Sequence, residues 1–364
     1  MRLVSVRRCR PGAILARSVY LDNGTVLVGE GVELTQRMID RLIAMQVTNV
    51  YIRDSRTSDV VAQDAISEQT RREAMGLIFE SFRKIQDEPI KWRHRILDQQ
   101  MGRRFRQVMH QVIDELKQNR AAMNLLGNVC AADHYIFSHS LNVALYSTAL
   151  ALKAGYNEKE LLEIGLGAML HDIGKMAIPL DILNKPDTLT EEEFAIMQTH
   201  TEIGFDMLRQ QDEIPLLSAH CAFQHHERMD GSGYPRRLKG EQIHPYARLL
   251  AVCDVFDALT TPRVYRKPML PHEAMEILYG GADRLFAPSM VETLRDTIAM
   301  YPIGLSVRLS TGVSGVVVDY NRGQPGRPVV RILQNEAGEE LSAPYEIDLS
   351  KHLDIVITAC DALP

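Results

Sequence analysis

Glu158–Lys175 reads EKELLEIGLGAMLHDIGK. Glu158 to Leu170 reads as a helix, and its end delivers His171 and Asp172 side by side. Titratable groups in a helical interior are costly unless they are paired or bound to metal. Working outward from this pair, other groups of the same chemistry recur at His139, His200, His225-His226 and Asp254. His139 sits in a helix expected from Asp133 to Lys153 and stopped by Gly155. Thr190 and Glu193 form a capping-box signature that opens the helix expected to carry His200. Ile214 to Glu227 presents His225 and His226, and Tyr246 to Leu259 presents Asp254. Helices pointing ligands at one centre are how bundle cores build metal sites.

Imidazole and carboxylate together suit iron, manganese, zinc or nickel. His139, His171, Asp172, His200, His225, His226 and Asp254 are too many for one ion, so two ions sharing a carboxylate are expected. Such a centre is a recurrent device for cleaving phosphate esters with water. The expected activity class is therefore a phosphohydrolase.

The remaining numbers bound this reading. At 364 residues the chain has room for two or three domains, and 45% hydrophobic with 24% charged residues is ordinary for a soluble globular protein. A net charge of -6 argues against coating a nucleic-acid polymer. The five cysteines are odd in number and never spaced CxxC, which reads as reduced thiols. MRLVSVRRCRPG has no apolar signal region, and the longest apolar stretch, Leu141 to Leu152, is too short to span a bilayer. A cytoplasmic protein without a membrane span is expected.

The fold class expected is mainly α. Residues 1–55 read as a small α/β unit, with strands at Ala13–Tyr20 and Thr25–Val28 joined at Asp22-Asn23-Gly24. A helix capped by Thr35 and ending near Met45 follows, then a strand at Asn49–Ile52. Residues 56–118 read as a polar linker followed by a helical stalk. Leu97, Met101, Phe105, Val108, Val112 and Leu116 form one apolar stripe, either of a stalk that makes a homodimer or of a helix packed on its own domain. Residues 119–302 are the helical catalytic domain. Residues 303–364 hold short β-branched runs at Ser306–Leu309, Val313–Tyr320, Val329–Leu333 and Ile355–Thr358, expected as a small β-barrel-like accessory.

His171-Asp172-Ile173-Gly174-Lys175 resembles the signature of the HD phosphohydrolase superfamily. His225-His226-Glu227 with Asp230-Gly231-Ser232-Gly233-Tyr234-Pro235 is similar to the second half of the HD-GYP motif. Ile182-Leu183-Asn184-Lys185-Pro186 and Asp254-Val255-Phe256-Asp257-Ala258-Leu259, leading to Arg263 and Tyr265-Arg266-Lys267-Pro268, are similar to that subfamily as well. The resemblance covers roughly residues 120–300 and includes every ligand position.

The resemblance implies an HD-type bundle and a bacterial phosphodiesterase that hydrolyses cyclic di-GMP to pGpG, with GMP as a further product left open. It implies one metal on His139, His171, Asp172 and Asp254, and a second on His200, His225 and His226, with Asp172 bridging. Iron or manganese is the expected metal. Lys175 resembles the lysine that contacts the scissile phosphate, and Arg263, Arg266 and Tyr234 match positions near the substrate. Relatives with a third metal carry a glutamate where this chain has Tyr135, so two ions are expected, and Glu227 is expected to support a ligand rather than bind metal. Two further readings stay open: another substrate such as cyclic GMP-AMP, or a non-catalytic module that binds the dinucleotide or a GGDEF-type protein. The complete ligand set and Lys175 weigh against the last.

Overall fold

The computed structural model describes residues 1–21, 24–45, 47–61, 64–87, 100–119, 135–261, 268–321 and 323–360. At the start, β1 (Arg2–Ser5) pairs antiparallel with β4 (Asn49–Ile52), and β2 (Val19–Tyr20) pairs antiparallel with β3 (Val26–Val28). Between the pairs lies α1 (Gln36–Ala44), whose Thr35 hydroxyl accepts from Met38 N. The first strand expected is much shorter than Ala13–Tyr20, and Ile14 and Leu15 make only isolated bridges. Asp22 and Asn23 of the expected turn lie outside the described residues.

The central body is helical: α2 (Glu68–Asp87), α3 (Met101–Gln118), α4 (Tyr135–Ala154) and α5 (Glu158–Leu170), then short α6 (Leu180–Leu183) and α7 (Glu191–Gln198). It continues through α8 (His200–Leu208), α9 (Leu216–Gln224), α10 (Pro245–Thr260), α11 (Pro271–Gly280) and α12 (Pro288–Arg295). Helix α5 begins with a full capping box between Asn157 and Glu160, and every residue from Leu161 to Leu170 is buried. A helix apolar on all sides belongs in the middle of a bundle, and α3, α4 and α9 pack around this one.

Of the two readings left open for the α3 stripe, the one of a helix packed on its own domain fits the structure. Phe105, Val108, Val112 and Leu116 of α3 are buried in the same core cluster as α4, α5 and α9. The stripe therefore faces its own domain. Leu97 lies outside the described residues. The stretch expected as a linker is also packed: the N-terminal ammonium donates to Val60 O at 3.2 Å, and Thr57, Ala65 and Ile66 are buried.

At the end of the chain, β5 (Ser306–Leu309), β6 (Ser314–Asp319), β7 (Val329–Gln334), β8 (Glu340–Asp348) and β9 (Ile357–Cys360) form one antiparallel sheet in the order β8-β7-β6-β5-β9. It does not close, so the barrel-like expectation is corrected to an open sheet. β8 was not expected from the sequence. It is an edge strand, largely exposed, and carries Pro344, which an edge tolerates because no neighbour needs its missing N–H. The two ends of the chain share a core: Met1, Leu3 and Tyr51 pack with Leu305, Val307 and Val330, and Leu3 N donates to Gly304 O at 2.8 Å. Among the described residues, no helix is long and apolar enough to cross a membrane.

Candidate metal centre

Three of the helices end on a histidine, and each does so in the same way. His171 directly follows α5, His225 directly follows α9, and His200 stands two residues beyond α7. The last carbonyls of a helix have no intrahelical partner. Here the imidazoles supply one: His171 Nδ1–H donates to Ala168 O at 2.7 Å, His200 Nδ1–H to Met197 O at 2.7 Å, and His225 Nδ1–H to Ala222 O at 2.9 Å. In all three the acceptor lies three residues back. With Nδ1 carrying the proton, Nε2 keeps its lone pair and points away from the helix end.

The capping also corrects two expected helices. Thr190 opens a helix that stops at Gln198, and His200 begins a separate one. The helix expected to Glu227 ends at Gln224, leaving His225 as its cap and His226 just beyond.

The Nε2 atoms converge on Asp172. Its Oδ2 lies 3.8 Å from His139 Nε2 and 3.4 Å from His171 Nε2. Its Oδ1 lies 3.5 Å from His200 Nε2 and 3.7 Å from His225 Nε2. One carboxylate thus faces two histidine groups with its two oxygens. His139 Nε2 is 3.1 Å from Asp254 Oδ1, and His226 Nδ1 is 3.9 Å from Asp254 Oδ2. Candidate ligand atoms of His139, His171 and Asp254 lie within 4.8 Å of one another, and so do those of Asp172, His200, His225 and His226.

The approach of α8 to the His171-Asp172 turn needs a glycine. A Cβ on Gly174 would lie 2.0 Å from His200 O and 2.7 Å from Gly204 N, both backbone atoms. The bare turn lets the start of α8 settle directly on it, which puts His200 beside Asp172.

The electrostatics favour lone pairs on His200, His225 and His226 and negative oxygens on the carboxylates. Burial, joined by the nearby Lys175 charge, pushes the His200 imidazole down to about 4. Burial, with neighbouring histidines, likewise holds His225 and His226 well below the usual histidine range. Burial alone would lower His139, but hydrogen bonds to Asp254 and Asp257 outweigh it and push the ring up to about 9. Burial opposes charge on Asp172 too, yet His171 and Lys175 hold its carboxyl well below the carboxylate range. The thiols of Cys221 and Cys253, buried nearby, are pushed up to about 12, so they are packed small side chains there.

Two polar atoms decide whether cations fit. Asp172 Oδ1 and His171 Nε2 are buried and have no hydrogen-bond partner. Orphaned buried acceptors are rare and costly. Both face the cluster, and a divalent cation would satisfy each with the donor chemistry such ions prefer.

The other expected site residues are placed unevenly. Lys175 Nζ donates to Asp172 Oδ2 at 2.5 Å and is partly exposed at the rim. The Tyr234 ring lies 4.7 Å from that of His226, centroid to centroid. Its loop passes so near the 226–228 backbone that a Cβ on Gly233 would come 2.4 Å from His226 O. Arg263 and Arg266 lie outside the described residues, as does the Tyr135 side chain at the head of α4. Glu227 binds neither group; its carboxylate accepts from Arg236 N at 2.8 Å and Leu238 N at 2.9 Å, tying down the Tyr234 loop.

One functional residue was missed. Asp257 Oδ2 accepts from His139 Nδ1–H at 2.7 Å, while Oδ1 accepts from Asn142 Nδ2 at 2.9 Å and Thr261 Oγ1 at 3.0 Å. It does for His139 what backbone carbonyls do for the other three rings. Its signal was available: a carboxylate three residues after Asp254 on an apolar helix shares that residue's buried face.

Residues 113–290 match the HD domain family, and residues 306–362 match the family of KOW domains associated with HD domains. The described helices within this stretch are similar to an HD domain. The family resemblance read from His171-Asp172 is thereby borne out. The chain is 36% identical over 220 residues to a cyclic di-GMP phosphodiesterase of Pseudomonas aeruginosa, covering 60% of this chain and 53% of that protein. It is 44% identical over 155 residues to a cyclic di-GMP phosphodiesterase of Thermotoga maritima, covering 42% of each. It is 41% identical over 172 residues to a 3′3′-cGAMP-specific phosphodiesterase of Vibrio cholerae, covering 47% of this chain and 33% of that protein. The chain thus spans about half, or less, of the length of these relatives.

Proposed function

We propose that the HD domain binds two divalent cations, iron or manganese, and hydrolyses cyclic di-GMP to pGpG. The observation that carries this reading is the Asp172 carboxylate, buried between two histidine groups with one oxygen toward each. His139, His171, Asp172 and Asp254 would hold one cation, and His200, His225 and His226 with Asp172 the other. When bound, such a pair activates water and neutralises charge on a phosphodiester.

The rest falls to the chain itself. The reaction adds water across one phosphorus–oxygen ester bond: the water oxygen joins phosphorus, and the departing ribose oxygen takes up a proton. Lys175 stands at the rim and pairs, as a point cation, with charge on a phosphate oxygen. Tyr234, pressed against His226, forms one wall of the nucleotide pocket. Asp257 fixes the ring of His139, and three helix-end carbonyls fix His171, His200 and His225.

Similarity to relatives named for each substrate gives cyclic GMP-AMP as the second reading. The test is purification without air, metal analysis, and product chromatography with both dinucleotides. About two metals per chain and faster production of pGpG than of any product from cyclic GMP-AMP support the proposal, and the reverse preference selects the second reading. Asp172→Ala should abolish metal retention and turnover together; continued hydrolysis by that variant would sink the shared-carboxylate assignment.

A further inference from the structure

Helix α7 buries none of its residues, yet it is firmly moored. Thr190 and Glu193 close a reciprocal capping box, and Lys185 Nζ donates to Glu193 Oε2 at 2.5 Å. The Ile182–Pro186 stretch thereby acquires a role, since its lysine anchors the start of α7. The mooring presents Phe194, 46% exposed, at the mouth of the site. The Phe194 ring meets Tyr234 edge-on, with 6.0 Å between centroids. Tyr234 in turn lies against His226, and Glu227 pins its loop from behind. An aromatic row therefore runs outward from the histidine cluster, through Tyr234 to Phe194.

A large aromatic on a helix with no buried residue contributes little to packing, and here it stands one ring away from the histidine cluster with a face open toward a ligand held there. We propose that Phe194 is a base-stacking residue: one purine of the dinucleotide lies on its open face while the phosphodiester sits at the histidine cluster. This rests on the reading of the site as a cyclic-dinucleotide hydrolase. Stacking on an aromatic ring is tolerant of base identity, because every base has a π-face. Phe194 therefore strengthens binding of purine dinucleotides without choosing guanine over adenine.

The test compares Phe194→Ala, Phe194→Tyr and Phe194→Trp in the full chain. Metal content, and KM and kcat for cyclic di-GMP and cyclic GMP-AMP, are measured for each. Phe194→Ala should raise KM about tenfold for both substrates, the scale of losing one base–aromatic stack, with kcat and metal content nearly unchanged. The two aromatic replacements should restore KM, and in Phe194→Trp the introduced indole should be quenched by pGpG. An unchanged KM in Phe194→Ala, or a rise that aromatic side chains do not repair, overturns the stacking role while leaving the hydrolase reading intact. Absence of turnover of any cyclic dinucleotide by the wild type overturns both.

Discussion

Asp257→Asn exchanges one oxygen for an amide nitrogen and leaves side-chain volume alone. Asp257 Oδ1 accepts from Asn142 Nδ2 and Thr261 Oγ1 at 2.9 and 3.0 Å, and the asparagine carbonyl can keep both bonds. Its amide nitrogen then stands where Asp257 Oδ2 now lies, 2.7 Å from His139 Nδ1. Two N–H groups cannot face each other at that distance. The imidazole must offer a lone pair at Nδ1 and carry its proton on Nε2, the atom 3.1 Å from Asp254 Oδ1. A protonated Nε2 cannot bind a cation. Loss of such a supporting carboxylate lowers metal affinity about 10–100-fold, or roughly 1.4–2.7 kcal/mol. The assay is a metal titration of chelator-treated protein followed by elemental analysis, with a thermal melt alongside. The expected result is weaker binding of one cation at a nearly unchanged melting temperature, because the packing around position 257 is preserved. Wild-type affinity for both cations would show that Asp257 does not set the tautomer of His139, and the reasoning would be refuted.

Gly174→Ala should destabilise the protein by about 3 kcal/mol, the upper end of overpacking costs, because its Cβ would meet the backbone at His200 and Gly204. Metal retention should fall with it, and a wild-type melt with full metal content would show that α8 does not depend on that close approach. Arg331 reaches Asp59 with two hydrogen bonds of 2.6 and 2.7 Å and Glu346 at 2.8 Å, joining the segment after β4 to the C-terminal sheet. Its hydrogen bonds hold the Asp59 carboxyl down to about 2. A lowered carboxyl stabilises the fold above its ordinary value near 4 and loses that effect as pH falls toward 2. Because Asp59 is largely exposed, Arg331→Ala should cost only about 1 kcal/mol at pH 7. In urea melts the gap between variant and wild type should narrow between pH 4 and pH 2; a constant gap would show that the anchor is not ionic.

The chemistry of the site was legible from sequence because burying histidine and aspartate among apolar residues demands a reason, whatever the exact helix boundaries. Of the three helix ends at the site, the one at Leu170 was read as it stands, while those at Gln198 and Gln224 were not. Glycine and proline are the usual stop signals, and none stands at Leu170, Gln198 or Gln224. The stop is made by the histidine ring, whose hydrogen bond to the residue three back is invisible to a reading of propensity. The stripe on α3 shows the converse. Periodicity says that Phe105, Val112 and Leu116 are buried, but not whether the covering surface belongs to the same chain. The edge strand β8 lacked the alternation that marks half-buried strands, since most of its residues face solvent.

That a histidine ends each of three helices has a consequence for what the cluster can hold. The carbonyl end of a helix carries partial negative charge. The ends of α5, α7 and α9 converge here, and each imidazole relays its helix end to the cluster through Nδ1–H. A carbonyl accepting from Nδ1–H makes the opposite nitrogen a better donor of its lone pair. Add the carboxylates of Asp172 and Asp254, both held well below the usual carboxylate range, and negative charge is concentrated at the cluster. An anionic phosphodiester would be repelled by such a pocket on its own. It becomes a phosphate site through positive charge placed inside it, and among the described residues Lys175 at the rim does not balance two carboxylates and three helix ends. On the proposed function, the same geometry that fixes the rings makes cations a condition of binding substrate as well as of cleaving it. Stripping metal should accordingly abolish cyclic dinucleotide binding in equilibrium dialysis; binding at full strength to the chelated protein would break this link.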